Sequence, residues 1–492
     1  MYGGGVLRDC VLAIDQGTTG SRAVVFDAAA HVIGGAYREL PQIYPRPGWV
    51  EHDPNEIWRT VRACVREAVR DCAGRIAAVG ITNQRETTVC WHRERGEAVG
   101  NAIVWQCRRT ADLCGRLADR ADAIQRKSGL RPDPYFSGTK MRWMLENRDG
   151  IDRDACTFGT VDAWLIRCLT QSSAPVTDMT NASRTLLFNI TERCWDAELC
   201  EWVGVPAEML PEVRTSQADF GVVQAIPELK GVPILGVAGD QQAALFGQCG
   251  VRSGNAKNTY GTGCFVLQNT GDRAVLSEKG LLTTIAVDAS GGPCYALEGA
   301  VFVAGAALQW LRDELQIVDH ARDSERMAES LPDNQGVYFV PAFVGLGTPH
   351  WDPEARGVLV GLTRGTGRRE IVRAALESMA YQTSDVLASM SEESGLPIAE
   401  LAVDGGAAEN DFLLQFQADI LDIPVVRPAN TESTALGAAF LAGLGAGIWA
   451  DAGELARQRS IERRFVPGMS ADRRRNFLKG WRTALRQAMV HE

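Results

Sequence analysis

Residues 11–27, VLAIDQGTTGSRAVVFD, decide the predicted fold of this chain. Val11–Ile14 and Ala23–Phe26 are apolar runs of strand length, and most residues between them are glycine, threonine or serine. This pattern predicts a strand, a polar turn and a second strand. The turn offers backbone N–H groups and hydroxyls that can hold phosphate oxygens. Asp15, at the strand end, could hold a metal ion or its waters. A plain hairpin with a structural aspartate is the alternative.

Strand and helix patterns alternate along the rest of the chain. Asp53-Pro54-Asn55-Glu56 has the composition of a helix start, with Asp as the cap and Pro in the first turn. Ala77–Ile81 is another apolar run, and Leu401–Asp404 leads through a glycine turn to a helical pattern that begins near Asp411. This alternation predicts an α/β protein with a central sheet.

A second glycine-threonine turn, Gly261-Thr262-Gly263, lies between two further strand patterns and forms a faint internal repeat with the first turn. A chain of 492 residues is too long for one core, since single cores stop growing near about 250–300 residues. We therefore predict two domains, residues 1–249 and 250–492. Neither turn matches the GxxxxGK[ST] pattern, so the P-loop nucleotide-binding class is excluded.

Composition narrows the possible partners and the compartment. The net charge of −10 argues against a nucleic-acid partner, because it implies no broad basic surface. The 13 cysteines are odd in number and form no CxxC pair, which disfavours a disulfide framework or a zinc site and favours a cytoplasmic protein. The longest uncharged run, residues 433–450, is rich in alanine and glycine and predicts a buried helix rather than a membrane segment.

Three polar residues and one glycine turn near predicted strand ends could carry chemistry. Asp240 follows the apolar run Ile234–Ala238, where a carboxylate suits a general base; a helix N-cap is the alternative, and the two roles are compatible. Arg85 and Glu86 could donate to and accept from vicinal hydroxyls, or they could form a solvated surface pair. The turn at Gly405-Gly406 could let the backbone approach a flat ring, or it could serve helix–strand packing.

Together these stretches resemble the FGGY carbohydrate kinases over nearly the whole chain. The resemblance is carried by DQGTTGSRAVVFD (15–27), GITNQRETT (80–88), AGDQQAALFGQ (238–248), AKNTYGTGCF (256–265) and DGGAAEN (404–410). It implies two domains of the actin-like, ribonuclease-H-like fold with the active site in the cleft between them. It also implies ATP-dependent phosphorylation of glycerol with Mg²⁺, by a homodimer or homotetramer that does not insert into membranes.

The resemblance further implies a role for particular residues of this chain. One set would bind the nucleotide: Thr18, Thr19, Gly20, Arg22, Thr262, Gly305, Gln309, Gly406 and Asn410. Asp15 would lie near Mg²⁺. A second set would bind glycerol, with Asp240 as the general base: Arg85, Glu86, Trp105, Tyr135, Asp240, Gln241 and Phe265. Gly20 stands where many members have serine, which removes one hydroxyl that could reach the phosphates.

Two alternatives remain at this level. The acceptor could be a pentulose or a larger polyol, handled by the same chemistry. The chain could instead be an actin-like ATPase that uses the nucleotide to switch shape, although the predicted glycerol residues have no role in such a switch. Residues 214–232 contain no histidine, and Gln224–Gly231 contains no arginine. We therefore expect neither the histidine phosphorylation nor the fructose 1,6-bisphosphate inhibition found in some members.

Overall fold

The computed structural model describes residues 8–490, in which strands and helices alternate as the sequence predicts. The strands are β1 (Cys10–Gln16), β2 (Gly20–Phe26), β3 (Val32–Glu39), β4 (Glu51–His52), β5 (Ile76–Asn83), β6 (Thr88–His92), β7 (Ala102–Ile103), β8 (Cys156–Thr160), β9 (Val176–Asp178), β10 (Phe188–Asn189), β11 (Cys194–Trp195), β12 (Glu212–Arg214), β13 (Ile234–Gly239), β14 (Ala256–Tyr260), β15 (Cys264–Gly271), β16 (Leu282–Val287), β17 (Pro293–Val301), β18 (Tyr338–Val340), β19 (Val358–Val360), β20 (Leu401–Asp404), β21 (Val425–Pro428) and β22 (Ile461–Phe465). The helices are α1 (Pro54–Ala68), α2 (Ala111–Arg116), α3 (Ala121–Ser128), α4 (Ser137–Asn147), α5 (Val161–Thr170), α6 (Met179–Ala182), α7 (Ala197–Val203), α8 (Asp240–Gly247), α9 (Gly305–Asp313), α10 (Asp323–Glu329), α11 (Arg368–Ser394), α12 (Asp411–Leu421), α13 (Ser433–Gly445), α14 (Ala452–Gln458) and α15 (Ala471–Ala488).

Two sheets organise the molecule, and they share one strand order. The first has the order β13-β5-β1-β2-β3, in which β1, β2 and β3 pair antiparallel while β5 and β13 run parallel to β1. The second contains β17-β15-β14-β20-β21 with the same sequence of antiparallel and parallel pairs, extended by β16 and β22 at its edges. The faint repeat in the sequence therefore has a structural counterpart.

The two glycine-threonine turns occupy the same place in the two sheets. The first turn (Gly17–Thr19) joins β1 to β2, and the second turn (Gly261–Gly263) joins β14 to β15. In each, the N–H of the leading glycine donates to a carbonyl three or two residues on: Gly17 to Gly20 at 2.9 Å, and Gly261 to Gly263 at 2.8 Å. Each turn is therefore a hairpin, and each lies where two central strands of its sheet end.

The predicted helix starts follow the local sequence. The carboxylate of Asp53 caps α1 by accepting from the N–H of Asn55 at 2.8 Å, and Pro54 lies in the first turn, where its missing N–H costs nothing. The helix predicted within residues 433–450 is α13, which ends at Gly445 and is largely buried. None of the helices in residues 8–490 combines the length and apolar character needed to cross a bilayer. All 13 cysteines are free thiols.

Helix α13 packs on the first sheet although it lies late in the chain. Its residues Ala438 and Phe440 share a buried apolar cluster with Val11 and Ala78 of that sheet. The main chains come very close, because a Cβ on Gly80 would stand 2.1 Å from the carbonyl oxygen of Ala438. Contacts thus cross the predicted boundary at residue 250, and that boundary remains a prediction.

Helices α8 and α13 also meet through their main chains. A Cβ on Gly437 would lie 1.9 Å from the carbonyl oxygen of Ala243, and one on Gly247 would lie 2.1 Å from that of Ser433. Real Cβ atoms do not approach so closely, so these positions need the absence of a side chain. The distance between α13 and α8, the helix that begins at Asp240, depends on this contact.

We expect Gly437→Ala to destabilise the protein, because the added methyl group would force α8 and α13 apart. Overpacking of this kind costs about 1–3 kcal/mol, which corresponds to a melting temperature lower by several degrees. Thermal unfolding of the purified variant measures the change. Gly115→Ala is the matched control, since Gly115 is also helical and has no neighbour within 4 Å of its Cβ position. Equal melting temperatures for Gly437→Ala and the parent would contradict the contact.

Candidate active site

The polar residues predicted to carry chemistry converge at one edge of the first sheet. Asp15 lies near the end of β1, Arg85 and Glu86 follow the end of β5, and Asp240 follows the end of β13. These three strands are parallel, so their carboxyl ends point to the same edge, where ligands of α/β proteins commonly bind. The hypothesis that Arg85 and Glu86 form a solvated surface pair is wrong, because both side chains are 2% exposed.

Four buried charged side chains form a closed set that we call the charged quartet: Arg85, Glu86, Arg184 and Glu298. The two Nη atoms of Arg85 donate to the Glu298 carboxylate at 2.5 and 2.9 Å. Arg184 donates through Nη2 to Glu298 at 2.8 Å and through Nε to Glu86 at 2.7 Å. The Nε of Arg85 lies 3.6 Å from Oε1 of Glu86, which closes the set.

Glu298 and Arg184 are not among the predicted site residues. Glu298 lies within the apolar strand β17 of the second sheet, whereas Arg184 follows α6. Burial acts to raise the pKa of Glu298, but the guanidinium groups of Arg184 and Arg85 outweigh it and hold the pKa at about 2. A lone carboxylate in an apolar strand was the available signal, because a buried charge requires a partner.

Asp240 is the first residue of α8, and its carboxylate is about a third exposed (31%). Oδ1 accepts from the N–H of Gln241 at 2.7 Å and lies 3.3 Å from Nε of Arg85. The helix cap is Gly239, so Asp240 does not occupy the N-cap position considered for it. Burial raises the pKa of Asp240 and outweighs the opposing effect of Arg85, which keeps the carboxylate more basic than an exposed aspartate.

Asp15 faces a crowded acidic region. Burial, followed by the negative charges of Asp240 and Glu432, raises the pKa of Asp15 to about 7. Two carboxylates that repel each other fit a divalent cation, which would remove the repulsion. Residues 8–490 contain no group of three or more His, Cys, Asp or Glu side chains that could hold a metal ion. A site with only one or two carboxylates, such as the one at Asp15, fits Mg²⁺, because this ion completes its shell with water and phosphate oxygens.

Lys257 on β14 reaches across from the second sheet to α8. Its buried ammonium group donates to Oε1 of Gln241 and, at 2.7 Å, to Oγ1 of Thr259. Burial lowers the pKa of Lys257 to about 8 despite nearby acidic groups. The contact fixes which end of the Gln241 amide is an acceptor for lysine, so its NH₂ group remains as the donor. Lys257 is not among the predicted site residues.

Three aromatic side chains, two from the first part of the chain and one from β15 of the second sheet, wall the same region. The indole ring of Trp105 lies 5.6 Å from the ring of Tyr135 and 6.2 Å from that of Phe265, both edge to face. The indole N–H donates to the hydroxyl of Thr18 at 2.8 Å. This hydrogen bond joins the aromatic wall to the first turn. The hydroxyl of Tyr135 accepts from Nη2 of Arg85 at 3.2 Å.

The residue at position 20 is explained by its neighbour on β3. A Cβ on Gly20 would lie 2.5 Å from the hydroxyl oxygen of Tyr37, so no side chain fits there. The Tyr37 hydroxyl donates to the carbonyl of Thr19 at 3.4 Å, and the guanidinium of Arg22 lies 5.5 Å from the Tyr37 ring centroid. Arg22 also forms an ion pair with Glu432, just before α13. Arg22 is thus held beside the first turn by an acidic and an aromatic partner.

The N-terminus of α9 packs against the second turn. The N–H groups of Ala304 and Ala306 donate to the carbonyl of Thr262 at 2.9 and 3.1 Å. A Cβ on Gly305 would lie 2.6 Å from the carbonyl oxygen of Gly261, so glycine permits this approach. Gln309 is exposed one turn further along α9. The side chain of Thr262 is exposed at the tip of the turn and free to face a ligand.

The glycine turn after β20 lies beside the second turn. Gly405 has a φ of +86°, and a Cβ there would lie 2.3 Å from the carbonyl oxygen of Tyr260. Gly406 is exposed with no neighbour within 4 Å of its Cβ position, which leaves space for a flat ring. The side-chain oxygen of Asn410 accepts from the N–H of Leu413 at 2.9 Å and caps α12. Helix–strand packing and an open surface thus coexist in this turn.

Comparison with known proteins places this geometry in a family. Residues 10–247 match the model for the N-terminal domain of the FGGY family of carbohydrate kinases, and residues 256–446 match the model for its C-terminal domain. The chain is 54% identical over 491 residues to glycerol kinase of Shewanella amazonensis, which covers 98% of this chain and 99% of that protein. It is 55% identical over 487 residues to glycerol kinase of Symbiobacterium thermophilum, with 97% and 98% covered.

A solved structure supports the same assignment. The structure of Plasmodium falciparum glycerol kinase with ADP superimposes with a TM-score of 0.92 at 34% identity, covering 98% of this chain and 99% of that one. The predicted two-domain α/β fold of the actin-like class is confirmed by this match. Since two family models and full-length relatives match a chain whose strand ends gather the family's charged and glycine-rich motifs, this protein belongs to the FGGY family of carbohydrate kinases.

Proposed function

We propose that this chain is an ATP-dependent glycerol kinase, which transfers the γ-phosphoryl group of ATP to a primary hydroxyl of glycerol and forms sn-glycerol 3-phosphate. One observation carries the proposal: Arg85 lies within 3.6 Å of both Glu86 and Asp240, beside the aromatic wall of Trp105 and Phe265. The relatives named glycerol kinase, at 54% and 55% identity over nearly the whole chain, support it.

The charged and aromatic groups suit a small polyol. Arg85 donates and Glu86 accepts, so together they can hold two neighbouring hydroxyls, while Tyr135 and the amide of Gln241 supply further polar contacts. The rings of Trp105 and Phe265 would cover the C–H face. A ligand without one of these hydroxyls would leave a buried polar group unpaired, which penalises it strongly.

Asp240 acts as the general base in this proposal. Its carboxylate removes the proton of the attacking primary hydroxyl while the hydroxyl oxygen bonds to the γ-phosphorus and ADP leaves. The raised pKa of Asp240 makes it a stronger base than an exposed aspartate. Arg85, 3.3 Å from Oδ1, orients the carboxylate.

The nucleotide would lie between the two glycine-threonine turns. Thr18, Thr19, Gly20 and Arg22 would face the phosphates from the first turn, and Thr262 from the second. Gly305, Gln309, Gly406 and Asn410 would bind the remaining part of the nucleotide, close to the N-termini of α9 and α12. Mg²⁺ held near Asp15, directly or through water, would neutralise charge on the phosphates when bound.

Further parts of the proposal concern the assembly and its location. We retain the division into domains at residues 1–249 and 250–492, and a homodimer or homotetramer as the assembly. A cytoplasmic location is supported by the 13 free thiols, since reduced cysteines are typical of that compartment.

Release of ADP from Mg-ATP, measured with glycerol, xylulose, ribulose or no acceptor, tests the function. We expect strong release with glycerol alone and formation of glycerol 3-phosphate. Release with a pentulose instead would preserve the mechanism and refute the acceptor. Release that does not depend on any acceptor would refute the kinase proposal and favour a nucleotide-driven switch.

We expect Asp240→Asn to lower kcat by about 10²–10⁴-fold, the usual cost of losing a general base. Binding of ADP, measured by calorimetry, should stay near that of the parent. Asp162→Asn is the matched control, because Asp162 is a buried aspartate with a raised pKa whose carboxylate bonds Thr160 and Thr177, neither of which is a predicted site residue. Near-parent phosphorylation by Asp240→Asn would show that another group accepts the proton.

The raised pKa of Asp240 also predicts the pH dependence. As the pH falls through this pKa the carboxylate gains a proton and cannot accept another, so activity is lost on the acid side. We expect the acid limb of kcat/KM for glycerol to lie above about 4, the ordinary aspartate range. The charge of Asp240 raises the pKa of Asp15, so the two carboxylates titrate together and the acid limb belongs to the pair rather than to Asp240 alone. An acid limb at the ordinary value would contradict the raised pKa.

A further inference from the structure

We propose that Glu298 and Arg184 are positioning residues of the glycerol site, which hold Arg85 and Glu86 in the orientation that glycerol requires. This inference rests on the proposed function, because it assigns the role of two residues in recognition of the same acceptor. It concerns the charged quartet, in which each arginine contacts both glutamates and each glutamate contacts both arginines.

The contacts of Arg85 show why Glu298 matters. Both Nη atoms of Arg85 donate to the two oxygens of Glu298, which fixes the plane of the guanidinium group. The remaining nitrogen, Nε, is then directed at the carboxylates of Asp240 and Glu86, at 3.3 and 3.6 Å. Without Glu298 the guanidinium group could turn and pair with Asp240 through its Nη atoms.

Arg184 does the same for Glu86. Its Nε donates to Oε1 of Glu86 at 2.7 Å, and its guanidinium group lies 5.6 Å from the ring centroid of Tyr135 and 5.4 Å from that of Phe136. Arg184 is completely buried and packed against these rings, so its position is fixed by its surroundings. One oxygen of Glu86 is thereby fixed, and the carboxylate can present the other to a hydroxyl.

The quartet also balances charge in a region that excludes water. Two arginines and two glutamates sum to zero, and each of the four side chains is 2% exposed or less. Removing one charge would leave an unpaired charge of the opposite sign, which low-dielectric surroundings make costly. The remaining members would have to rearrange to compensate, and that rearrangement would reach the predicted glycerol ligands, since Arg85 is one of them and lies 3.3 Å from another, Asp240.

Glu298 belongs to the second sheet, whereas Arg85 and Arg184 belong to the first part of the chain. The quartet therefore joins β17 to the strand end that carries the predicted acceptor site. The orientation of Arg85 therefore depends on the second sheet. Glu298 would not touch glycerol itself and would act on it through Arg85.

The test is steady-state kinetics of Glu298→Gln, which keeps the shape of the side chain and removes its charge. We expect the KM for glycerol to rise about 10- to 100-fold, the scale of losing one hydrogen bond to a charged group. The KM for ATP should stay that of the parent, because the quartet does not contact the glycine-threonine turns. An unchanged KM for glycerol in folded Glu298→Gln would overturn the proposal.

Glu377→Gln is the matched control for burial and pairing. Glu377 is also fully buried and pairs with an arginine, Arg373, at 2.7 Å, but it lies in α11 on the second part of the chain. A purely structural effect would lower the melting temperature in both variants and leave the KM for glycerol unchanged in both. We expect only Glu298→Gln to change that KM. A rise in KM of similar size in both variants would overturn the positioning role.

Two further variants keep the proposal falsifiable if Glu298→Gln does not fold. Glu298→Asp retains the charge on a shorter stem and should give a KM for glycerol between those of the parent and Glu298→Gln. Arg184→Lys retains the charge but cannot bond Glu86 and Glu298 through a planar fork, so it should also raise the KM. Parent-like KM values in both variants would overturn the proposal.

The parent separates this proposal from the proposed function. A parent that does not phosphorylate glycerol refutes the function, and the quartet's role in glycerol binding falls with it. A parent that phosphorylates glycerol, together with Glu298 variants of unchanged KM, refutes only the role of the quartet.

Discussion

Burial of charge at the end of β5 is the constraint on which the rest of the site depends. Taking a guanidinium or a carboxylate out of water costs several kcal/mol per ion, so Arg85 can lie at 2% exposure only if its charge is balanced and its donors are bonded. Glu86 alone cannot do this, because it lies 3.6 Å from Nε and leaves the Nη atoms, which otherwise bond only the neutral side chains of Gln242 and Tyr135, without a charged partner. Glu298 supplies that partner from the other sheet, which ties the orientation of the site to the packing of both sheets.

The repeated strand order explains how a single chain provides such a site. Each sheet ends its two central strands at a short glycine-threonine turn, and parallel neighbours bring further loops to the same edge. The first sheet contributes carboxylates and Arg85, and the second contributes backbone donors and open space near Gly406. Helix α8 links them, since it begins with Asp240, accepts a bond from Lys257 of the second sheet, and packs on α13 without intervening side chains.

Glycine has two distinct uses in this architecture. At Gly437 and Gly247 it allows two helices to approach until their main chains touch. At Gly20 it accommodates the hydroxyl of Tyr37, which occupies the space a serine side chain would need. Glycine at position 20 removes a hydroxyl that could reach the phosphates, and the same space holds the hydroxyl of Tyr37, which lies 3.4 Å from the Thr19 carbonyl.

The sequence by itself determined the α/β class, the two turns and the start of α1, because strands, turns and caps depend on residues adjacent in the chain. It also placed Asp15, Arg85, Glu86 and Asp240 near strand ends, but their assignment to one site came from the resemblance to the family. Only the tertiary structure decided that Arg85 is buried, that Arg184, Lys257 and Glu298 complete its surroundings, and that α13 lies on the first sheet. Glu298 is 213 residues from Arg85. No local pattern encodes which distant charge will neutralise a buried one, because that choice depends on how the two sheets pack together.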